Sequence, residues 1–121
     1  KILKTLFLLL CLPIMLNAKK YYVATNGNDA NAGSIDSPFA TLARAQSETA
    51  PGDIVYIRGG RYTIKESQIM GEKETIYACV FLMDKSGTDN EHRICYFGYP
   101  GERPVFDLSH VKPAGKRISV F

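Results

Sequence analysis

Short apolar segments alternate with polar, turn-rich segments along most of the chain, and this pattern predicts β-strands separated by loops. The apolar segments are rich in Val, Ile, Tyr and Phe, the residues that suit a pleated and half-buried surface. The polar segment 65–75 is predicted to be an irregular loop. The predicted strands are 21–23, 54–57, 62–64, 76–83 (the longest), 93–97, 104–108 and 117–121.

One segment has the periodicity of a helix. Phe39, Leu42 and Ala43 have the spacing of neighbours on one helix face, and Gln46 and Ala50 continue that face. The pattern therefore predicts a short amphipathic helix over 39–48.

The ends of this helix carry their own signals. Ser37 is the predicted N-cap, Pro38 stands at the first helical position, and Gly52 follows the predicted end. Because the apolar face is narrow, the helix needs other apolar surface to cover. We predict that it is a lid on a stack of β-coils, packed beneath or beside Val55 and Ile57.

The connections between the strands favour sequential coiling. No Asn-Gly or Asp-Gly hairpin turn joins two strands. Ile54, Cys79 and Pro104 are evenly spaced along the chain, and a repeat of about 25 residues fits one coil of a solenoid. An immunoglobulin-like sandwich is the competing all-β fold, but the lid helix and the absence of Trp disfavour it. No cap follows the last predicted strand, so we expect a longer protein whose coils continue beyond Phe121.

The order of these elements resembles the start of secreted right-handed parallel β-helix proteins. The residues that carry this resemblance are Tyr21, Tyr22, Val23, Gly27, Asp29, Asn31, Gly33, Pro38, Phe39, Thr41, Leu42, Ala45, Pro51, Gly52, Asp53, Val55, Ile57, Gly59, Gly60 and Tyr62. The later segments DKSGT (84–88), YPGERPVFD (99–107) and VKPAG (111–115) are most similar to the N-terminal part of family 9 polysaccharide lyases.

The resemblance implies an all-β fold, a pectate-lyase-like right-handed parallel β-helix of which this chain contains the N-terminal lid helix and first coils. The expected division of the chain is a signal peptide at 1–18, then the N-terminal strand, polar loop and capping helix at 19–53. The segment 54–121 would form the first coils, truncated at the C-terminus.

The segment 1–18 has the composition of a secretory signal peptide. Lys1 and Lys4 form a basic start, an apolar run follows, and Ala18 is a small residue suited to cleavage. The apolar run is shorter than the ~20 residues of a membrane span and is broken at Pro13. We therefore predict a protein that is secreted, or held at the cell surface or in the periplasm, with no membrane span after cleavage.

Charge and cysteine content narrow the class of partner. The chain has 15 Lys and Arg against 12 Asp and Glu, and loss of Lys1 and Lys4 leaves 13 basic residues against 12. This balance predicts no nucleic-acid partner and provides no overall field to attract an acidic polymer. Cys79 and Cys95 lie in apolar strands, where a disulfide or two buried thiols would each fit.

Several polar residues are candidates for chemistry, each with a structural explanation beside it. The oxygen-rich loop residues Asn26, Asn28, Asp29, Asn31 and Asp36 suit either calcium or turn closure. Arg58 and Arg61 suit a carboxylate ligand, local pairing, for example with Asp53, or exposure to solvent. His92 and His110 lack neighbours at metal-ligand spacing. Asp84 and Asp107 suit either glycoside hydrolysis or turn capping, and Tyr96 and Tyr99 either sugar stacking or rung packing. No catalytic, cofactor-binding or metal-binding residue is assigned.

The family resemblance implies that the complete protein is a lyase acting on a uronate-containing polysaccharide of the pectin or rhamnogalacturonan type by β-elimination. This reaction needs a base for the proton α to the uronate carboxylate and a cation, calcium in the family, for the charge that develops. The implied partner is an acidic polysaccharide, the implied cofactor of the full-length protein is calcium, and a monomer is expected. The alternatives are a non-catalytic surface β-helix that binds carbohydrate or another cell, and a β-helical glycoside hydrolase.

Overall fold

The computed structural model describes residues 17–69, 71–73, 77–79, 83–112 and 117–119 of the 121-residue chain. The eight strands in these ranges are β1 (Lys20–Val23), β2 (Ile54–Ile57), β3 (Gly60–Thr63), β4 (Gly71–Lys73), β5 (Tyr77–Cys79), β6 (Cys95–Gly98), β7 (Pro104–Asp107) and β8 (Arg117–Ser119). The helix α1 spans Leu42–Glu48, and a 3₁₀ turn spans Glu66–Gln68.

The strands form three sheets that run along two successive coils. β2, β3 and β5 belong to the first coil, and each pairs in parallel with its counterpart β6, β7 or β8 in the second coil. β1 adds a third parallel strand beside β2. Sequential strands that pair in parallel with the same position of the next coil make a parallel β-helix, and this confirms the predicted fold class.

The coils are longer than the even spacing of Ile54, Cys79 and Pro104 predicted. Lys20 pairs with Ile54, and Ile54 pairs with Cys95 rather than with Cys79. Cys79 instead pairs with Ser119 in a different sheet. The predicted spacing is wrong as a coil period because it compared strands that lie on different sheets.

The helix begins later than predicted. Thr41, not Ser37, is the N-cap, and its side chain accepts a hydrogen bond of 3.1 Å from the Arg44 N–H. Phe39 lies outside the helix in a parallel bridge with Val23. Asp29 explains the delay, because its carboxylate accepts the Ala40 and Thr41 N–H groups at 2.9 Å and keeps this stretch extended.

The helix nevertheless covers the core, and two of the three predicted lid residues pack as expected. Phe39 is 1% exposed and Leu42 is buried, and both belong to one apolar cluster with Val55 and Ile57. Ala43 is only half-buried, and Ala45 takes the buried position on the helix, which contacts β1. The cluster also contains Tyr21, Val23, Tyr62, Ile64 and Val111.

The segment 65–75 contains more regular structure than predicted. Besides the 3₁₀ turn it holds β4, which pairs with β5 in antiparallel orientation. A strand can form here without apolar side chains because its pairing uses backbone groups, so hydrophobic periodicity gave no signal. The predicted long strand 76–83 is described only at Tyr77–Cys79 and at the exposed Met83.

No helix within the described ranges is long and apolar enough to cross a membrane. The predicted signal peptide lies outside the described residues except for Asn17 and Ala18, which are exposed and precede β1.

Candidate functional site

An aromatic ladder lies on the outer face of the sheet formed by β1, β2 and β6. Val55 and Ile57 point into the core, so their neighbour Tyr56 points outward. Tyr22, Tyr56 and Phe97 are in-register partners on the three strands. Their ring centroids are separated by 5.6 Å between the tyrosines and 6.3 Å between Tyr56 and Phe97. The ladder therefore runs across the coils, and Phe97 at its end is 50% exposed.

Tyr99 extends this aromatic surface beyond the end of β6. Its N–H donates to the Ile57 carbonyl at 2.8 Å, and its ring lies 6.0 Å from that of Tyr56 in an edge-on arrangement. The Arg58 guanidinium lies 4.5 Å from the centre of the Tyr99 ring, within the range of a cation–π contact. We call Tyr22, Tyr56, Phe97, Tyr99 and Arg58 the outer aromatic surface.

A bidentate ion pair fixes Arg58 on this surface. Its Nε and Nη2 donate to Glu102 at 2.9 and 2.8 Å, and the Gly59 N–H donates to the same carboxylate at 2.7 Å. The Arg58 hydrogen bonds, followed by that of Gly59, lower the pKa of Glu102 from 4.5 to about 2. Glu102 is therefore ionised at neutral pH and holds the guanidinium in place over Tyr99.

An open polar groove lies beside the Arg58–Glu102 pair, between the loop that precedes α1 and the turns that follow β2 and β6. Asn26, Asp36 and Arg103 line it together with that pair. Aromatic rings next to charged and amide groups can contact the apolar faces and the hydroxyl or carboxylate groups of a sugar. This part of the surface therefore combines aromatic faces with charged and amide groups beside an open groove.

A smaller cavity of about 200 Å³ lies between β3 and the start of α1. Tyr62 lines it, and the Tyr62 hydroxyl lies 2.7 Å from the Arg58 carbonyl and 3.1 Å from the Val23 carbonyl, to which it can donate. Burial, and then the negative charge of Glu102, raise the pKa of Tyr62 to about 12. This hydroxyl therefore stays protonated and ties neighbouring backbone segments together.

The oxygen-rich loop serves structural purposes. Asp29 accepts hydrogen bonds from Ala40 and Thr41, the Asn28 side chain accepts the Ala30 N–H, and Asn31 donates to the Pro38 carbonyl. Within the described ranges, no group of three or more His, Cys, Asp or Glu side chains is placed to hold a metal ion. The hydrogen bonds of Asn28, Asp29 and Asn31 fit the turn-closure interpretation of this loop.

The arginines that flank the Gly59-Gly60 turn do not pair with Asp53. Arg58 pairs with Glu102, and Arg61 Nη1 lies 2.9 Å from Asp107. Asp53 instead accepts backbone N–H groups from Lys19 and Ala50, each at 2.9 Å. The local pairing was the wrong expectation because each coil brings the turn of the next coil directly beside that of the first.

The remaining candidates are dispersed. His92 bonds to Asp89 at 2.8 Å in an exposed loop, and His110 is exposed elsewhere. The Asp107 carboxylate accepts hydrogen bonds from the Arg61 guanidinium and from the backbone N–H of Ser109. Asp84 lies exposed in a loop.

Two further candidates from the sequence, Cys95 and Tyr96, are adjacent residues of β6. Tyr96 packs against the core and therefore fits the rung interpretation, whereas Tyr99 lies on the outer aromatic surface. Cys95 is a free thiol, and its strand pairs with β2, whereas the strand of Cys79 pairs with β4 and β8.

Sequence reasoning missed Tyr22, Tyr56 and Phe97 as a site. Their alternation with buried residues was visible, but their alignment depends on which strand of one coil lies beside which strand of the next. Each of the three strands has an aromatic residue at its third position, and this repeated placement would have been the available signal.

Comparison with known proteins places these features in a family. The profile of the Pel9A-like right-handed β-helix region matches residues 21–120. Pectate lyase L of Dickeya dadantii (strain 3937) is 35% identical over 89 residues, which cover 74% of this chain and 19% of that protein. Pectate lyase PEL9 of Emericella nidulans is 39% identical over 46 residues, covering 38% of this chain and 11% of that protein.

A solved structure of a rhamnogalacturonan lyase is similar over most of the chain. It is 44% identical, has a TM-score of 0.80, and the similarity covers 86% of this chain and 25% of that structure. The chain thus spans about a fifth of the length of the first curated relative that it matches.

Proposed function

Because this chain belongs to the Pel9A-like right-handed β-helix family, we propose that it is the N-terminal portion of a secreted polysaccharide lyase. The proposed substrate is a uronate-containing polysaccharide of the pectin or rhamnogalacturonan type, and the proposed reaction is calcium-assisted β-elimination. The observation that supports this most is the match of residues 21–120, which begins at β1 and extends past β8.

The described residues make a specific contribution to this function. Their helix and first strand cover the core, and their two coils provide a foundation on which further coils can stack. The outer aromatic surface provides rings that suit the apolar faces of a sugar chain, and the Arg58–Glu102 pair holds the guanidinium over Tyr99.

The catalytic base and the calcium ligands are proposed to lie in coils outside this sequence. The described residues present no set of carboxylates that fits calcium. Lys85, in the loop before β6, donates hydrogen bonds to the carbonyls of Ser47 and Thr49 at the end of α1. A lysine in this position stabilises the C-terminal end of the helix, so it is not proposed as the catalytic base.

The test is a lyase assay on the natural full-length protein. De-esterified pectin and rhamnogalacturonan are each incubated with calcium or with a chelator, and the unsaturated product is followed by its ultraviolet absorbance. We expect product with at least one polymer, loss of product with the chelator, and no product from the 121-residue chain alone. New reducing ends without unsaturated product would replace the proposal with a glycoside hydrolase.

A non-catalytic carbohydrate-binding function is the second candidate, and the outer aromatic surface is the observation that favours it. Retention of the protein in a gel that contains the polymer, with no cleavage product of either kind, would select it.

A further inference from the structure

The buried carboxylate of Asp53 lies at the point where the folded part of the chain begins. Asp53 is 4% exposed, and its Oδ1 accepts the backbone N–H of Lys19 at 2.9 Å. Its Oδ2 accepts the backbone N–H of Ala50 at 2.9 Å. Among the ion pairs of the described residues, none includes Asp53. The charge is thus held by two neutral amides, although a buried carboxylate normally has a cationic partner.

The charged groups at this end of α1 are of both signs: Asp53 and Glu48 are carboxylates, Arg44 pairs with Glu48, and the Lys85 ammonium lies on the carbonyls of Ser47 and Thr49. Burial, and then the charges of Asp53 and Glu48, raise the pKa of the Tyr21 hydroxyl. That hydroxyl donates to the carbonyl of Glu48 at 3.4 Å, so its position is fixed near the end of α1. A positive charge placed at the Lys19 nitrogen would lie at hydrogen-bond distance from the Asp53 carboxylate, which attracts it.

The position of the Lys19 nitrogen is fixed by the fold. The Lys19 carbonyl accepts the Ile54 N–H at 2.9 Å, and the next residue begins the pairing of β1 with β2. Asn17 and Ala18, in contrast, are exposed and lie before the strand. Cleavage of the peptide bond between Ala18 and Lys19 would therefore remove two exposed residues, Asn17 and Ala18, and leave the anchored Lys19 at the start of the chain.

We propose that this peptide bond is the processing site of the protein and that the α-ammonium group released on Lys19 binds the Asp53 carboxylate as an ion pair. The proposal goes beyond the lyase function and depends on export through the predicted signal peptide. A signal peptidase supplies the hydrolysis: water adds its hydroxyl to the Ala18 carbonyl carbon as the C–N bond breaks. The Lys19 nitrogen takes up the remaining proton of that water and a second proton from solvent, and becomes charged.

Processing would then improve the interaction that already exists in the unprocessed chain. A neutral N–H donor becomes an ammonium group with three donors, next to the same carboxylate oxygen. Charge-assisted hydrogen bonds are about twice as strong as neutral ones. Asp53, in the turn before β2, therefore binds the mature N-terminus. This ion pair stabilises the pairing of the chain around Lys19 with β2.

The first measurement is the intact mass of the natural protein recovered after export, which should correspond to Lys19 as the first residue. The second is the rate at which an acylating reagent modifies the α-amine near neutral pH, followed by mass spectrometry of the N-terminal peptide. We expect the Lys19 amine to react roughly tenfold or more slowly than the same amine in the unfolded protein, because the paired ammonium cannot attack.

Two variants test the role of Asp53. A protein that starts at Asn17 keeps Asp53 but moves the amine away, so its amine should react at the unfolded rate. In Asp53→Asn, started at Lys19, the protection should also disappear. Asp36→Asn removes instead a carboxylate that lines the polar groove, whose lining does not include Lys19, and should keep the protection. If Asp53→Asn does not fold, the comparison of the two start sites still decides the question. An exported protein that begins elsewhere, or equal reaction rates for the two start sites, would overturn the proposal.

Discussion

Phe39 is the residue whose removal should damage the cap most. Its ring is 1% exposed, lies 5.9 Å from the ring of Tyr21, and has the Arg44 guanidinium 5.2 Å from its centre. Its backbone also pairs with Val23, so the surrounding structure cannot easily collapse into the space left by a smaller side chain. Phe39→Ala should therefore lower the free energy of unfolding by about 3–5 kcal/mol, the range for a buried Phe.

The assay is urea denaturation followed by far-ultraviolet circular dichroism, since the chain has no Trp. With a slope of about 1–3 kcal/mol per molar urea, a loss of about 3–5 kcal/mol should lower the midpoint by roughly 1–5 M. Phe97→Ala is the matched control, because it truncates the same side chain at a position that is 50% exposed. Equal losses in the two variants, or a loss for Phe39→Ala below about 1 kcal/mol, would refute the packing of Phe39 as the cap's central contact.

Three further predictions test other parts of the account. Gly33→Ala should destabilise the protein far more than Gly101→Ala, as measured by thermal melting. Both glycines have positive φ (79° and 76°), so backbone strain is similar in the two variants. A Cβ at Gly33 would lie 2.3 Å from the Phe39 ring, whereas a Cβ at Gly101 would have none of the described atoms within 4 Å. The pKa of Glu102 falls from 4.5 to about 2 on folding, so its stabilising contribution is complete above pH 4.5 and is lost as the pH falls towards 2; Glu102→Gln should make the melting temperature less dependent on pH in that window, and an unchanged acid profile would contradict the role of the pair. Phe97→Ala should weaken retention by an acidic polysaccharide in affinity electrophoresis about 2- to 12-fold, the equivalent of one aromatic contact, whereas an unchanged mobility shift would remove Phe97 from the proposed binding surface.

The fold class could be predicted because strands and turns carry local signals. The segment Ile54–Ile57 is β2 in the structure with the predicted bounds, since four β-favouring residues follow a Pro-Gly turn. The resemblance of the N-terminal motif supplied the coil arrangement. The coil offset was not predictable in the same way, because loop lengths differ between coils and no local pattern fixes which strand lies beside which.

The helix start shows where local signals were misleading. Ser37 and Pro38 are a good N-terminal signal, but the Asp29 side chain, 12 residues before Thr41, accepts the hydrogen bonds that set the true start. A contact of that range cannot be read from capping preferences. The partner of Arg58 was missed for the same reason, since Glu102 is 44 residues away.

The outer aromatic surface was missed as a site because each residue taken alone is an ordinary strand residue. Tyr22 and Tyr56 become neighbours only through the register of β1 with β2. Tyr99 becomes part of this surface through its cation–π contact with Arg58, which lies in another coil. The residues of a site formed by stacked coils can be recognised from sequence only when the coil period is known.

The pairing of Ile54 with Cys95 tests the central claim, that two coils stack in parallel with β2 directly beside β6. Neighbouring strands lie about 4.8 Å apart, within the Cα separation of about 4.4–6.8 Å that a disulfide needs. Ile54→Cys under oxidising conditions should therefore form a bond between position 54 and Cys95, identified by mass spectrometry of the digested protein. A bond between position 54 and Cys79 would instead support the shorter repeat and contradict the coil arrangement described for this protein.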